Sequence, residues 1–247
     1  MVLKKKSSLC ILAALIIAAL LIVTGCSGQA KPAGTAASKT AGSADQVYKR
    51  PETVTSAAEA KQLLVDGNNR FKSGKPAGRD LSGARREELA AKGQKPFAVI
   101  VTCSDSRVPP ELIFDQALGD LFVIRVAGNV VDPVALGSVE YAVEHLNTPL
   151  VVVMGHEKCG AVKATVDGGE APGSIGSIVE KIKPSVEKAK SAGAGGNDLY
   201  EKAADENIKA VTADIEKSPV VKHLEESGKL TVLGAKYLLG SGEVVFK

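Results

Sequence analysis

The chain has 247 residues, 45% of them hydrophobic, which is enough to bury one sizeable core. Trp is absent and aromatics make up 4%, which argues against stacking platforms for single-stranded nucleic acid. The formal charge of +3 comes entirely from Lys4, Lys5 and Lys6, because residues 1–25 carry no acid; the neutral remainder offers no global basic footprint for nucleic acid.

Residues 1–25 have the pattern of a secretion signal. The three lysines precede an apolar run from Leu9 to Val23, 15 residues, short of the roughly 20 that a spanning helix needs. The run ends in VTGCSG, which resembles the lipobox of bacterial lipoproteins and implies cleavage before Cys26 and acylation of its thiol. An uncleaved membrane anchor is the alternative. Either way the rest of the chain is expected outside the cytoplasmic membrane. In a host with two membranes, that means a periplasmic or outer-membrane location. Residues 26–54 are expected to hold the lipidated Cys26 and a flexible tether, since 27–46 are mostly Ala, Gly, Ser, Thr and Lys without an apolar period.

The folded domain is expected over 55–247. Ser56 and Glu59 form a capping box, and Ala60, Leu63, Leu64 and Phe71 follow at helical spacing to a stop at Gly74. A second helix is predicted over 83–92. Three short apolar, β-branched runs are predicted strands: 97–103, 121–127 and 149–155. Between the last two, Pro133 opens a helix carrying Leu136, Val139, Val143 and Leu146. Helices are predicted at 174–190 and 198–217, their Lys-rich faces in solvent, and the chain closes with a long strand, a Gly-Ser-Gly turn and a short strand. Buried strands alternating with helices give the fold class: α/β, a mainly parallel sheet flanked by helices, with a C-terminal strand hairpin.

Two motifs carry chemistry. In CSDSR, Cys103, Asp105 and Arg107 occupy alternate positions, and in HEKCG, His156 and Cys159 lie three apart. Both follow predicted strands at their carboxyl ends, where parallel sheets bind ligands. Alternate residues of an extended segment share a face, so Cys103 and Asp105 are able to address one ion. Two thiols, an imidazole and a carboxylate are ligands that zinc accepts tetrahedrally; a softer ion would draw on Met, of which the chain has two. Asp105 has Arg107 as a competing partner. Paired with Arg107, it would leave one metal position to water, which ionises near neutrality on zinc. A disulfide between Cys103 and Cys159 is the plain alternative in an exported protein, but it leaves Asp105, Arg107 and His156 without a role. His145 and His223 are expected to be ordinary helix or surface residues. Gly128 in RVAGNVVDP suits a tight turn better than a dinucleotide loop, because the spaced glycines are missing.

CSDSR and HEKCG, with GNNRF, PELIFDQALGDLFVIRVAGN and GAKYLLGSGEV around them, resemble the β-class carbonic anhydrases over roughly 55–247. The resemblance implies one zinc per subunit on Cys103, His156 and Cys159. It implies an Asp105 that either ligates zinc or pairs with Arg107, and a Gln116 that contacts substrate, often from the partner subunit. The implied reaction is reversible hydration of CO2 to bicarbonate and a proton by a zinc-bound hydroxide. The implied assembly is a homodimer or larger even-numbered oligomer. Leu238 after Tyr237, and Glu157 and Lys158 inside HEKCG, depart from the family pattern without removing a ligand. Val108, Val126 and Ala127 are candidate walls of an apolar CO2 pocket. Two thiolates should keep metal-bound water less acidic than three imidazoles would, so activity is expected to rise through mildly alkaline pH. The rival readings are hydrolysis of carbonyl sulfide or carbon disulfide, a non-catalytic zinc-binding lipoprotein with all four ligands closed, and a disulfide-stapled structural domain.

Overall fold

A computed structural model describes residues 47–247; Cys26 and the rest of the signal and tether assignment lie outside the described residues. The described part starts as a strap. Tyr48 donates its N–H to Gly78 O at 2.8 Å, Arg50 Nε is 2.6 Å from Asp120 Oδ1, and Val54 is buried. The body therefore takes in residues 47–54, which were expected to belong to the tether. Arg50 also lies over the Phe97 ring, so this segment is held by charge and by contact with the core.

Helix α1 (Ala57–Lys72) starts where the capping box places it: Ser56 Oγ accepts from Glu59 N at 3.2 Å. It buries Ala60, Leu64, Gly67 and Asn68, one helical stripe. Gly67 is there for closeness, since a Cβ on it would stand 1.8 Å from Phe114 O. Asn68 then ties three elements together, donating to Gly242 O (2.8 Å) and Ile113 O (3.2 Å) and accepting from Val244 N (2.9 Å).

After α2 (Gly83–Lys92), strand β1 (Ala98–Thr102) leads to a short α3 (Pro110–Ile113) and to β2 (Leu121–Arg125). Helix α4 (Pro133–His145), N-capped by Asp132, leads to β3 (Leu150–His156). Four helices follow: α5 (Gly160–Asp167), α6 (Ile175–Ser191), α7 (Gly196–Glu216) and α8 (Pro219–Glu226). The chain closes with β4 (Thr231–Leu238) and β5 (Glu243–Phe246).

The sheet order is β2-β1-β3-β4-β5, parallel except for the antiparallel β4–β5 pair. This is the mainly parallel sheet with a terminal hairpin that the sequence predicts. Alternation along the strands sorts the core into two faces. Val99, Val101, Val151 and Val153 face a layer with α4, α7 and α8, whereas Ala98, Ile100, Val152 and Met154 face α1, α3 and β5. A third apolar cluster, under α5, α6 and α7, contains Cys103 and Cys159. Helices α3, α5 and α8 go beyond the predicted elements: the first is a single turn opened by Pro110, the second starts directly after Cys159 and stops at Gly168, φ +71°, and the third is opened by Pro219 and capped by Ser218.

Candidate metal centre

Strand β1 ends at Thr102, whose hydroxyl donates to Met154 O at 2.7 Å and so fixes the end of β1 against β3, two residues before β3 ends. Cys103 follows immediately. His156 is the last residue of β3, and Cys159 is the N-cap of α5. Parallel pairing of β1 with β3 therefore delivers the two motifs to one edge of the sheet.

The ligand atoms of Cys103, His156 and Cys159 lie within 4.8 Å of one another, and all three residues are buried. Both thiols are free, which removes the disulfide reading. His156 Nδ1 stands 2.7 Å from Glu157 O, the geometry of a donated N–H, so that Nε2 carries the lone pair; Nε2 is buried with no hydrogen-bond partner. An orphaned, buried imidazole nitrogen costs free energy that a metal bond recovers. Two thiols and one imidazole are donors that zinc accepts, so the residues present fit the ion.

The two thiols titrate as a pair. The Cys159 thiol donates to the Cys103 sulfur, which pulls Cys103 down to about 4 against the opposing effect of burial; the N–H groups of Asp105 and Gly128 help. The same bond, reinforced by burial, pushes Cys159 well up. A divalent cation binds the thiolate form of both, so its binding would release the protons they carry.

Asp105 is turned onto Arg107. Arg107 Nε reaches Asp105 Oδ1 at 2.9 Å and Nη2 reaches Oδ2 at 2.7 Å, a two-pronged pair, and the Arg107 backbone N–H adds a third bond at 2.9 Å. The Arg107 guanidinium holds this carboxyl far below the usual carboxylate range, against partial burial. Asp105 Oδ2 remains 3.9 Å from His156 Nε2, beside the cluster but outside the converging set. Of the four residues expected as metal ligands, three converge and Asp105 is committed to Arg107. The reason is geometric: a guanidinium two residues along matches both carboxylate oxygens at once.

Gln116 does not join the cluster within this chain. It is buried beside α1 and donates through Nε2 to Phe114 O at 2.7 Å, with Oε1 buried and unpartnered. Val108 is fully buried in the core on the α1 side, so it is core rather than pocket wall. Val126 packs against the cluster that holds Cys103, and Ala127 is half-buried. Gly128, φ +71°, makes the tight turn expected of it and sends its N–H to Cys103 Sγ at 3.3 Å. His145 and His223 are exposed at helix ends.

Several supporting residues carry no sequence signal. Arg125 on β2 donates to Cys103 O (3.1 Å) and to Asp105 O (2.6 Å), holding the segment that carries both side chains. Glu157, a departure from the family pattern, accepts from Leu239 N at 2.9 Å while its own N–H bonds Tyr237 O at 3.0 Å. These contacts span 20 residues or more of sequence, which no local pattern reports.

A family model described as carbonic anhydrase matches residues 98–244. Carbonic anhydrase 2 of Mycobacterium tuberculosis is 41% identical over 197 residues, 78% of this chain and 94% of that protein. The carbonic anhydrase of Mycolicibacterium smegmatis is 40% identical over 190 residues, 75% of this chain and 90% of that one. Among solved structures, the β-carbonic anhydrase CcaA superposes with a TM-score of 0.60 at 29% identity, over 75% of this chain and 94% of that one. A β-carbonic anhydrase from Coccomyxa gives 0.58 at 28%, over 74% and 83%. Sequence, fold and the three convergent ligands agree, and the chain belongs to the β-class carbonic anhydrase family.

Proposed function

We propose that the chain catalyses the reversible hydration of CO2 to bicarbonate and a proton, with one zinc ion per subunit. The observation that carries this is the convergence of Cys103, His156 and Cys159 within 4.8 Å while Asp105 is engaged by Arg107. Zinc on those three residues supplies a Lewis acid that makes water a nucleophile near neutral pH. The chain's own side chains do the rest. Arg107 keeps Asp105 ionised and pins both its oxygens, so the carboxylate is a fixed hydrogen-bond acceptor at the edge of the cluster. The bond to Glu157 O sets the His156 ring and its tautomer. The Gly128 N–H offsets charge on the Cys103 sulfur. Val126, packed against the cluster that holds Cys103, offers an apolar wall for CO2.

The closed, non-catalytic zinc reading requires Asp105 on the metal, and its pairing with Arg107 speaks against that. The decisive experiment is stopped-flow CO2 hydration by the zinc-loaded protein, with Cys159→Ser as the control. Rapid hydration lost in the variant supports the proposal. A folded, zinc-loaded protein that leaves CO2 untouched but turns over carbonyl sulfide or carbon disulfide would replace the substrate.

The reading extends to the whole chain. Cys26 is taken as a lipidated N-terminus that tethers the catalytic domain outside the cytoplasmic membrane, supported by the basic start, the apolar run and VTGCSG. A homodimer or larger even-numbered oligomer belongs to it as well, supported by the family resemblance and by exposed Val134 and Tyr141.

A further inference from the structure

Helix α7 packs in the same apolar cluster as Cys103 and Cys159 and reaches both loops of the metal centre with two side chains that the reaction itself does not use. Glu201 Oε1 accepts the backbone N–H of Lys158 at 3.0 Å. Lys158 lies between His156 and Cys159 and takes a left-handed φ of +52°, a conformation a lysine rarely adopts without a partner to hold it. The other oxygen of Glu201 is fixed in turn: Lys236 Nζ on β4 lies 2.7 Å from Oε2 and 3.1 Å from Asp205 Oδ1, with the Lys236 side chain 11% exposed. Burial alone would lower the Lys236 pKa, but the two carboxylates outweigh it and raise it, so the lysine stays charged.

The second contact runs to the other loop. Asn207 is buried and donates through Nδ2 to Gly128 O at 2.8 Å. The N–H of the same Gly128 points at Cys103 Sγ, 3.3 Å away. A Cβ on Gly128 would come within 2.6 Å of Ile182 Cδ1 on α6, so a side chain at this position would require Ile182 to move. One residue of α7 thus sets the Cys103 side of the centre, and another sets the His156–Cys159 side.

We propose that α7 braces the metal centre, with Glu201 and Asn207 as positioning residues that hold the two ligand loops at their separation. The inference rests on the zinc reading above. Positioning by outer hydrogen bonds acts on how tightly the ligands hold the ion, through their orientation. A merely structural role for the same residues would change the melting temperature and leave zinc retention alone.

The test measures zinc release from the full-length chain to a chromophoric chelator, the absorption spectrum of the cobalt-substituted protein, and thermal melting. Glu201→Ala should release zinc about 10-fold faster and shift the cobalt bands. Glu201→Gln should stay near wild type, because its carbonyl oxygen still accepts the Lys158 N–H. Asn207→Leu, of similar size, removes the donor to Gly128 O, so it should speed release by about 10-fold. Wild-type release rates and unshifted cobalt bands in both Glu201→Ala and Asn207→Leu would overturn the proposal. So would Glu201→Gln losing zinc as fast as Glu201→Ala, which would assign the effect to the Lys236 ion pair. Should Glu201→Ala fail to fold, Asn207→Leu decides alone. A wild-type chain that takes up neither zinc nor cobalt would instead defeat the zinc reading, a result separate from these.

Discussion

The Asp105 carboxylate lies 3.9 Å from His156 Nε2 and is bonded through both oxygens to Arg107. Two consequences follow at this scale. Because Asp105 is not in the converging ligand set, Asp105→Asn should keep its zinc and still lower CO2 hydration by about 100-fold or more, as loss of a positioned proton acceptor does. Zinc content and stopped-flow rate, measured on the same sample, check both halves. Arg107 also sets a pH window. The folded pKa of Asp105 is depressed, so what the pair contributes is present above the unfolded value and is lost only as pH falls through the folded value, in strong acid. In Arg107→Ala the main cause of the depressed pKa is gone, so the part of the acid-induced loss of stability that Asp105 contributes below about pH 4 should largely vanish. Urea midpoints from weak to strong acid should fall less steeply in the variant than in the wild type, and an unchanged slope would count against Arg107 as its cause. The effect on stability is small, because the Arg107 side chain is 52% exposed and solvent screens the pair. Residue identities were legible here: CSDSR and HEKCG name every side chain of the cluster. What Asp105 chooses was not, because the spacing allows either a metal or an arginine.

At the scale of elements, α1 shows how pattern and contact divide the work. Its cap, its stripe and its stop were readable from Ser56, Glu59, Leu64 and Gly74. Gly67 was not, because a glycine inside a helix is locally a weakness, about 1 kcal/mol worse than alanine. The tertiary structure reverses that: a methyl on Gly67 would lie 1.8 Å from Phe114 O and 2.9 Å from Gln116 Nε2. Gly67→Ala should therefore destabilise by about 3 kcal/mol or more, despite its better helix propensity, because the obstacle is backbone. A denaturant midpoint equal to or above wild type would refute the close packing of α1 on α3. Helices α3, α5 and α8 escaped prediction because each is short, at most 8 residues, too few for an apolar period to repeat.

At the scale of the whole molecule, the described body begins at residue 47 with a strap fixed through Arg50 to Asp120, so anything attached earlier in the chain meets a firm anchor point. Under the lipoprotein reading, an alkyne-tagged fatty acid fed to the host should label the wild type, and Cys26→Ser should lose the label. The variant should keep its CO2 hydration, since the cluster sits on β1, β3 and α5. A label that persists in Cys26→Ser would end the assignment.

The sequence by itself determined the class of fold and the cast of the site. Strand periodicity, caps and two short motifs are local properties, and local chemistry writes them directly into residue order. Only the tertiary structure decided how that cast is arranged: Asp105 on Arg107, Arg125 under the Cys103 segment, Glu201 on Lys158 and Asn207 on Gly128. Apart from the first, these partners lie 22 to 79 residues apart, so their meeting depends on strand order and helix docking. The energy of such long-range contacts has no counterpart in a local pattern; it exists only once the parallel sheet has brought its strand ends to one edge.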